Sequence, residues 1–227
     1  MIRLENVCKS FHMNGITTTV ADNINIVFPS LTGVALLGRN GAGKSSLLGM
    51  IAGTIHPNSG KITSDGSMSW PVGFAGSFSP DLTGVQNTRF IARVYGVDSD
   101  GLIDFVKDFS ELGPRFHLPI RSYSSGMRSR LAFGVSMGIK FDTYLVDEVT
   151  AVGDAGFKEK SATVFRERLE TSGAIVVSHS PDLIRSICTA GAVLEKGHLI
   201  YFEDLEEAID AHERNMAQPV PEQAIAV

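Results

Sequence analysis

The sequence predicts an α/β fold: a parallel sheet flanked by helices, entered through an N-terminal antiparallel β region and interrupted by an inserted helical subdomain. Three observations predict it. The run Gly38-Arg39-Asn40-Gly41-Ala42-Gly43-Lys44-Ser45-Ser46 fits the pattern G-x-x-x-x-G-K-[ST]. Short apolar runs recur at 34–37, 143–148 and 174–180, the last two closed by polar residues, as in strands buried on both faces. Between about 82 and 139, apolar residues return instead at spacings of three and four, the period of a helix.

The N-terminal thirty residues read as strands. Ile2, Leu4 and Val7 alternate, and so do Ile24, Ile26 and Phe28. His12 to Thr18, around Gly15, reads as a polar turn between them. Phe11 stands just ahead of that turn. An aromatic there either joins the core or, in a nucleotide-binding fold, stacks on a purine.

Val34-Ala35-Leu36-Leu37 then makes a buried strand, and Leu47, Leu48, Met50 and Ile51 put a helix start near Lys44. A loop between them without bulky side chains turns successive backbone N–H groups toward a triphosphate. Gly38, Gly41 and Gly43 allow positive φ and close approach. The helix adds its unpaired N–H groups and positive dipole end. In this pattern Lys44 reaches the β/γ-phosphates and the Ser45 hydroxyl holds Mg²⁺. Strand, loop and helix in this register predict a P-loop NTPase core that binds a triphosphate.

His56-Pro57-Asn58-Ser59-Gly60 is a turn before further strand. Gly66, Pro71, Gly73, Gly76 and Pro80 mark a composition shift over 65–80, the expected passage into the helical subdomain at about 80–140. Two helices follow, the second broken by Gly113-Pro114. Tyr123-Ser124-Ser125-Gly126-Met127 opens another helix, in which Leu131, Val135 and Ile139 share a face. Such a turn is a helix cap or a second anion site.

Thr143 to Glu148 is a strand closed by two carboxylates. Ligands of open α/β sheets lie at the carboxyl ends of strands, so Asp147 is placed to bind Mg²⁺ together with Ser45, and Glu148 to activate water. Ala174 to Val177 ends in Ser178-His179 at the same edge, where His179 is a candidate γ-phosphate contact. A hairpin across Lys196-Gly197-His198 and an acidic helix over 203–215 complete the fold, before a loose tail at 217–227.

Composition narrows the function. At 227 residues, 43% hydrophobic and 20% charged, the chain fits one globular domain. A net charge of −5 with no basic run argues against nucleic acid as partner. No apolar stretch reaches the about 18 residues that span a bilayer. The start is no signal peptide, and Cys8 and Cys188 suit a reducing compartment as buried small residues.

Five pieces in this order resemble the ATPase subunit of ABC transporters: the loop 38–46, the turn Tyr123–Met127, the strand ending Asp147-Glu148, the segment Ala151-Val152-Gly153-Asp154, and His179. The resemblance covers nearly the whole chain. It implies an ATP-sandwich homodimer in which Ser124, Ser125 and Gly126 serve the partner's nucleotide. It also implies Glu148 as catalytic base, His179 as switch histidine and Asp154 as the D-loop aspartate. Tyr-Ser-Ser-Gly-Met stands where the family usually has Leu-Ser-Gly-Gly-Gln. Residues 72–82 hold no counterpart of the family's Q-loop glutamine, and Gln86 falls where glutamate is common.

Ser69 to Phe74, Leu82-Thr83-Gly84 and Arg89 to Gly96 resemble more narrowly the capsular-polysaccharide exporter ATPases. That implies an integral-membrane permease as partner, polysaccharide as cargo, and a peripheral place on the cytoplasmic face of the membrane. O-antigen exporters commonly add a carbohydrate-binding domain, and an end at Val227 favours the capsule type. Export of another glycan, such as O-antigen or teichoic acid, is the alternative reading. A non-transport ABC ATPase would be expected to carry a basic face or a second ATPase unit, and a small-molecule kinase leaves the turn at Ser124–Gly126 without a role.

Overall fold

The computed structural model describes residues 1–13, 15–73, 76, 78–147 and 155–217. Two sheets organise it. Strands β1 (Ile2–Met13), β2 (Ile16–Phe28) and β4 (Ser59–Ser64) form an antiparallel sheet in the order β2-β1-β4. The larger sheet joins β3 (Gly33–Leu37), β5 (Met68–Pro71), β6 (Thr143–Asp147), β7 (Gly173–Val177), β8 (Ala190–Glu195) and β9 (His198–Phe202) in the order β5-β6-β7-β3-β8-β9. Its first five strands run parallel and β9 is antiparallel. This is the predicted P-loop NTPase architecture.

The period of two along each strand divides the core between two layers. Val34, Leu36, Leu145, Ile175 and Val177 pack against Leu47, Leu48, Met50 and Ile51 of α1 (Lys44–Ile51) and against Ile2, Leu4 and Val7 of β1. Ala35, Tyr144, Val146, Ala174 and Val176 face the other way, toward the helices α2 (Gly84–Val94), α3 (Ser99–Ser110), α4 (Ser125–Gly138) and α5 (Ala155–Leu169). Leu47 and Leu48 have no exposed surface; burying each stabilises the fold by about 1.5–3 kcal/mol. Helices α6 (Pro181–Ile187) and α7 (Leu205–Ala217) are the last helices among the described residues.

Several expectations need correction. His12 to Thr18 is not a loop: His12 pairs with Thr17 and Met13 with Ile16, which leaves a tight connection at Gly15, whose φ of 79° is the left-handed value that glycine adopts freely. Residues 65–80 do not leave the core at once, because Met68–Pro71 forms the edge strand beside β6. Ser67 fixes that edge by hydrogen bonds of its N–H and hydroxyl to Asp142 Oδ2, both 2.7 Å. The second predicted helix ends at Ser110, where Glu111 takes a left-handed φ of 55° before Gly113-Pro114 is reached. Cys188 is buried, but Cys8 is only half-buried, and Ala217 closes α7 rather than starting a tail. Residues 218–227 lie outside the described residues.

Candidate functional site

The loop 39–43 leaves β3 and enters α1 at Lys44, as predicted. Gly41 and Gly43 have φ of 80° and 100°. A Cβ on Gly43 would lie 2.7 Å from Val20 Cβ, and one on Gly38 would lie 2.5 Å from the Leu194 carbonyl oxygen. The glycines therefore let the loop sit against β2 on one side and β8 on the other. No side chain caps α1, so the N–H groups of Ser45 and Ser46 in its first turn face the loop's anion-binding end. Asn40, Gly41 and Ser45 are exposed on the open side of the loop.

Lys44 is folded back over this loop. Its Nζ donates to the carbonyl oxygens of Gly38 at 2.7 Å and Arg39 at 3.0 Å. A cation so held is positioned by the backbone that would cradle the phosphates. Ser45 Oγ donates to Asp147 Oδ1 at 3.2 Å. Hydroxyl and carboxylate are hard oxygen donors, the set that Mg²⁺ prefers while keeping several waters. These residues fit the ion.

Sheet order explains why these groups meet. β7 lies between β6 and β3, with Asp147 beside Val177 and Ala35 beside Val176. His179 follows β7 by two residues and is exposed, so it emerges at the same sheet edge between Asp147 and the loop. Phe11 belongs to β1, is 39% exposed and pairs with Thr18, two residues from the Val20 that abuts Gly43. Lys9 Nζ lies 5.0 Å from the centre of its ring. The ring is thus on the surface rather than in the core. Glu148 and Asp154 lie outside the described residues.

Ser124, Ser125 and Gly126 are not joined to the loop by any hydrogen bond among the described residues. Ser124 caps α4, its Oγ accepting from Met127 N–H at 3.3 Å, and all three residues are exposed. The tyrosine of this turn has a packing reason. Tyr123 is 4% exposed, and its hydroxyl donates to the Arg115 carbonyl at 2.8 Å. Its oxygen lies 2.7 Å from where a Cβ on residue 84 would be, so Gly84 makes room for it. Gln86 forms a capping box with Thr83: its Oε1 accepts from Thr83 N–H at 2.9 Å and Thr83 Oγ1 accepts from Gln86 N–H at 3.1 Å. That accounts for glutamine at this position without a ligand.

Sequence reasoning missed the surroundings of Arg39. Its Nη2 donates to the carbonyls of Asn215 at 2.5 Å and Met216 at 3.2 Å, and its Nε stands 3.8 Å from Glu195 Oε1. His212, one turn earlier on α7, has its pKa lowered, first by burial and then by the charge of Lys44. The available signal was an arginine inside a loop that must turn every charged side chain somewhere.

Comparison with known proteins agrees with this geometry. The ABC transporter family pattern matches residues 21–151. The polysialic acid transport ATP-binding protein KpsT of Escherichia coli is 48% identical over 215 residues, 93% of this chain and 96% of its own length. The capsule polysaccharide export ATP-binding protein CtrD of Neisseria meningitidis is 42% identical over 210 residues, 92% of this chain and 97% of its own. A solved dimeric ATP-binding cassette in a post-hydrolysis state, bound to ADP and Pi, superposes with a TM-score of 0.75 at 21% identity, over 90% of this chain and 99% of its own. The chain belongs to the ABC transporter family, as one of its ATP-binding, ATP-hydrolysing subunits.

Proposed function

We propose that this chain powers the export of a surface, capsular polysaccharide through a separate membrane permease. The observation that carries the reading is the near full-length likeness to proteins named for polysialic acid transport and capsule polysaccharide export. Among the described residues no helix is long and apolar enough to cross a membrane, so a permease has to supply the path. The unit at about 80–140 is the part that meets it. On α2, Phe90 and Val94 are 57% and 62% exposed, four residues apart on one face, and together they offer an apolar docking surface. Docking there holds the chain at the cytoplasmic face of the membrane.

Within the site, the backbone N–H groups of Gly41, Gly43 and the first turn of α1 hold the β- and γ-phosphates, with Lys44 at their oxygens. Ser45 and Asp147 hold Mg²⁺, which neutralises phosphate charge when bound. Phe11 stacks on the adenine. Glu148 takes the proton of the attacking water, and His179 holds the γ-phosphate. Ser124, Ser125 and Gly126 contact the nucleotide of a second copy, and Asp154 serves as the D-loop aspartate. This division of labour supports a two-state cycle: ATP closes the dimer, and hydrolysis with phosphate release opens it.

The test is deletion in the source organism, complemented with wild type or with Lys44→Ala, reading surface and intracellular polysaccharide. Loss of surface polymer with internal accumulation, restored by wild type alone, is the expected result. An unchanged capsule with loss of another surface glycan would redirect the assignment to that glycan.

A further inference from the structure

We propose that Arg39 is a positioning residue through which the C-terminal helix α7 holds the phosphate loop and Lys44 in register. The inference rests on the reading of residues 38–46 as the ATP phosphate loop.

A guanidinium in such a loop has five donors and could turn toward phosphate. This one turns away. The Arg39 side chain is only 22% exposed, and its Nη2 caps the last turn of α7 at the carbonyls of Asn215 and Met216. Terminal helix carbonyls have no partner within the helix and carry the negative end of its dipole, so a cation is the natural cap. Glu195, at the end of β8, faces the same guanidinium. At its other end, the main chain of Arg39 supplies one of the two carbonyls that hold Lys44 Nζ. Two short contacts therefore connect α7 to the catalytic lysine through a single residue. The lowered pKa of His212, partly caused by Lys44, is consistent with that proximity.

α7 is itself firmly seated, which makes it a usable anchor. Leu205 and Ala208 are buried, and a Cβ on Gly191 of β8 would meet Ala208 Cβ at 2.3 Å, so helix and strand touch with nothing between them. Arg185 binds Glu206 through two hydrogen bonds of 2.8 and 3.0 Å at the helix start. The loop thus rests on three points: Leu194 against Gly38, Val20 against Gly43, and α7 through Arg39. Removing the third leaves every phosphate-binding group present and frees the first half of the loop. The expected loss is in ground-state nucleotide binding, because a less organised loop has more freedom to lose on binding.

The test compares wild type, Arg39→Ala, Arg39→Lys, a chain ending at Arg214, and Arg39→Ala in that shortened chain. Equilibrium binding of ATP is measured together with KM and kcat of hydrolysis. Arg39→Ala is expected to raise Kd and KM about tenfold with kcat within about twofold. Arg39→Lys, which keeps the charge and a donor, recovers most of the loss. The shortened chain reproduces the effect, and the double change is no worse than either alone, the signature of one shared interaction. Unchanged Kd in Arg39→Ala, a fall in kcat alone, or additive effects in the double change would each overturn the inference. Should Arg39→Ala not fold, the shortened chain and Arg39→Lys decide the matter by the same criteria. A wild type that fails to bind ATP would instead remove the underlying reading of the loop.

Discussion

Ser45 and Asp147 stand 102 residues apart in the chain and 3.2 Å apart in space. One opens α1 and the other closes β6, so their meeting reports the register of the whole parallel sheet. If they share Mg²⁺, replacing the carboxylate removes a charged ligand while the hydroxyl remains. Asp147→Asn is expected to lower turnover roughly 100-fold or more, and Ser45→Ala to lower it less. Phosphate release measured against Mg²⁺ concentration checks this. Equal activity of Asp147→Asn at every concentration would separate this pair from the metal.

Asn87 organises the turn into α2 from a site that is 2% exposed. Its Nδ2 donates to the carbonyls of Ser79, Leu82 and Thr83, and its Oδ1 accepts from Ser79 N–H. Asn87→Ala leaves the main-chain groups of Ser79 without these partners, at a cost of about 2–3 kcal/mol. The denaturant midpoint should fall accordingly while the slope of the transition stays the same. A change within about 0.5 kcal/mol, the range of ordinary surface substitutions, would contradict that role.

His212 gives the pH dependence a sign. Its folded pKa lies below the ordinary 6.5, because burial and Lys44 both oppose its proton. Below that ordinary value the unfolded chain binds a proton that the folded chain resists, so stability contributed above it is lost as pH falls toward the lowered pKa. Thermal midpoints measured from pH 8 to pH 5 should decline in the acid range, and His212→Gln should decline less steeply. Parallel curves would remove His212 as the source, and Asp142 could not replace it in this range: its pKa is lowered chiefly by the Ser67 side-chain hydrogen bond, so its contribution is lost only below the ordinary carboxylate range.

Phe90 and Val94 test the docking surface without touching the site. Their exposure makes Phe90→Glu and Val94→Glu nearly neutral for folding, within about 0.5 kcal/mol. ATP hydrolysis by the isolated protein should persist, whereas polysaccharide export in cells should fall at least about tenfold, as for loss of an interface anchor. Export at wild-type level in the double variant would move the permease contact elsewhere.

The phosphate loop, the strand before it and the helix after it were legible because all three lie within 19 residues, and local pattern governs local structure. β6 and β7 were legible as apolar runs closed by polar residues. The hairpin over 12–18 was misread because polar composition looks alike in a turn and in an exposed two-stranded ribbon. There the burial pattern is unbroken exposure from Ile16 to Thr19, so alternation had nothing to register. Met68–Pro71 was hidden by a proline in its last position, which an edge strand tolerates. Arg39 could not be assigned from sequence, since its partners at 215 and 216 lie 176 and 177 residues away and are main-chain atoms that no side-chain pattern encodes.

The two cysteines differ in a way that is useful at the bench. Burial pushes the Cys188 thiol up to about 12, so it stays protonated and unreactive toward maleimides and mild oxidants. Cys8 is the half-buried one; its sulfur accepts from Asn23 N–H at 3.3 Å, on the strand that carries Phe11 three residues on. The natural chain therefore carries one addressable thiol on the strand that also holds Phe11. A fluorophore attached there would label that strand without any substitution being introduced.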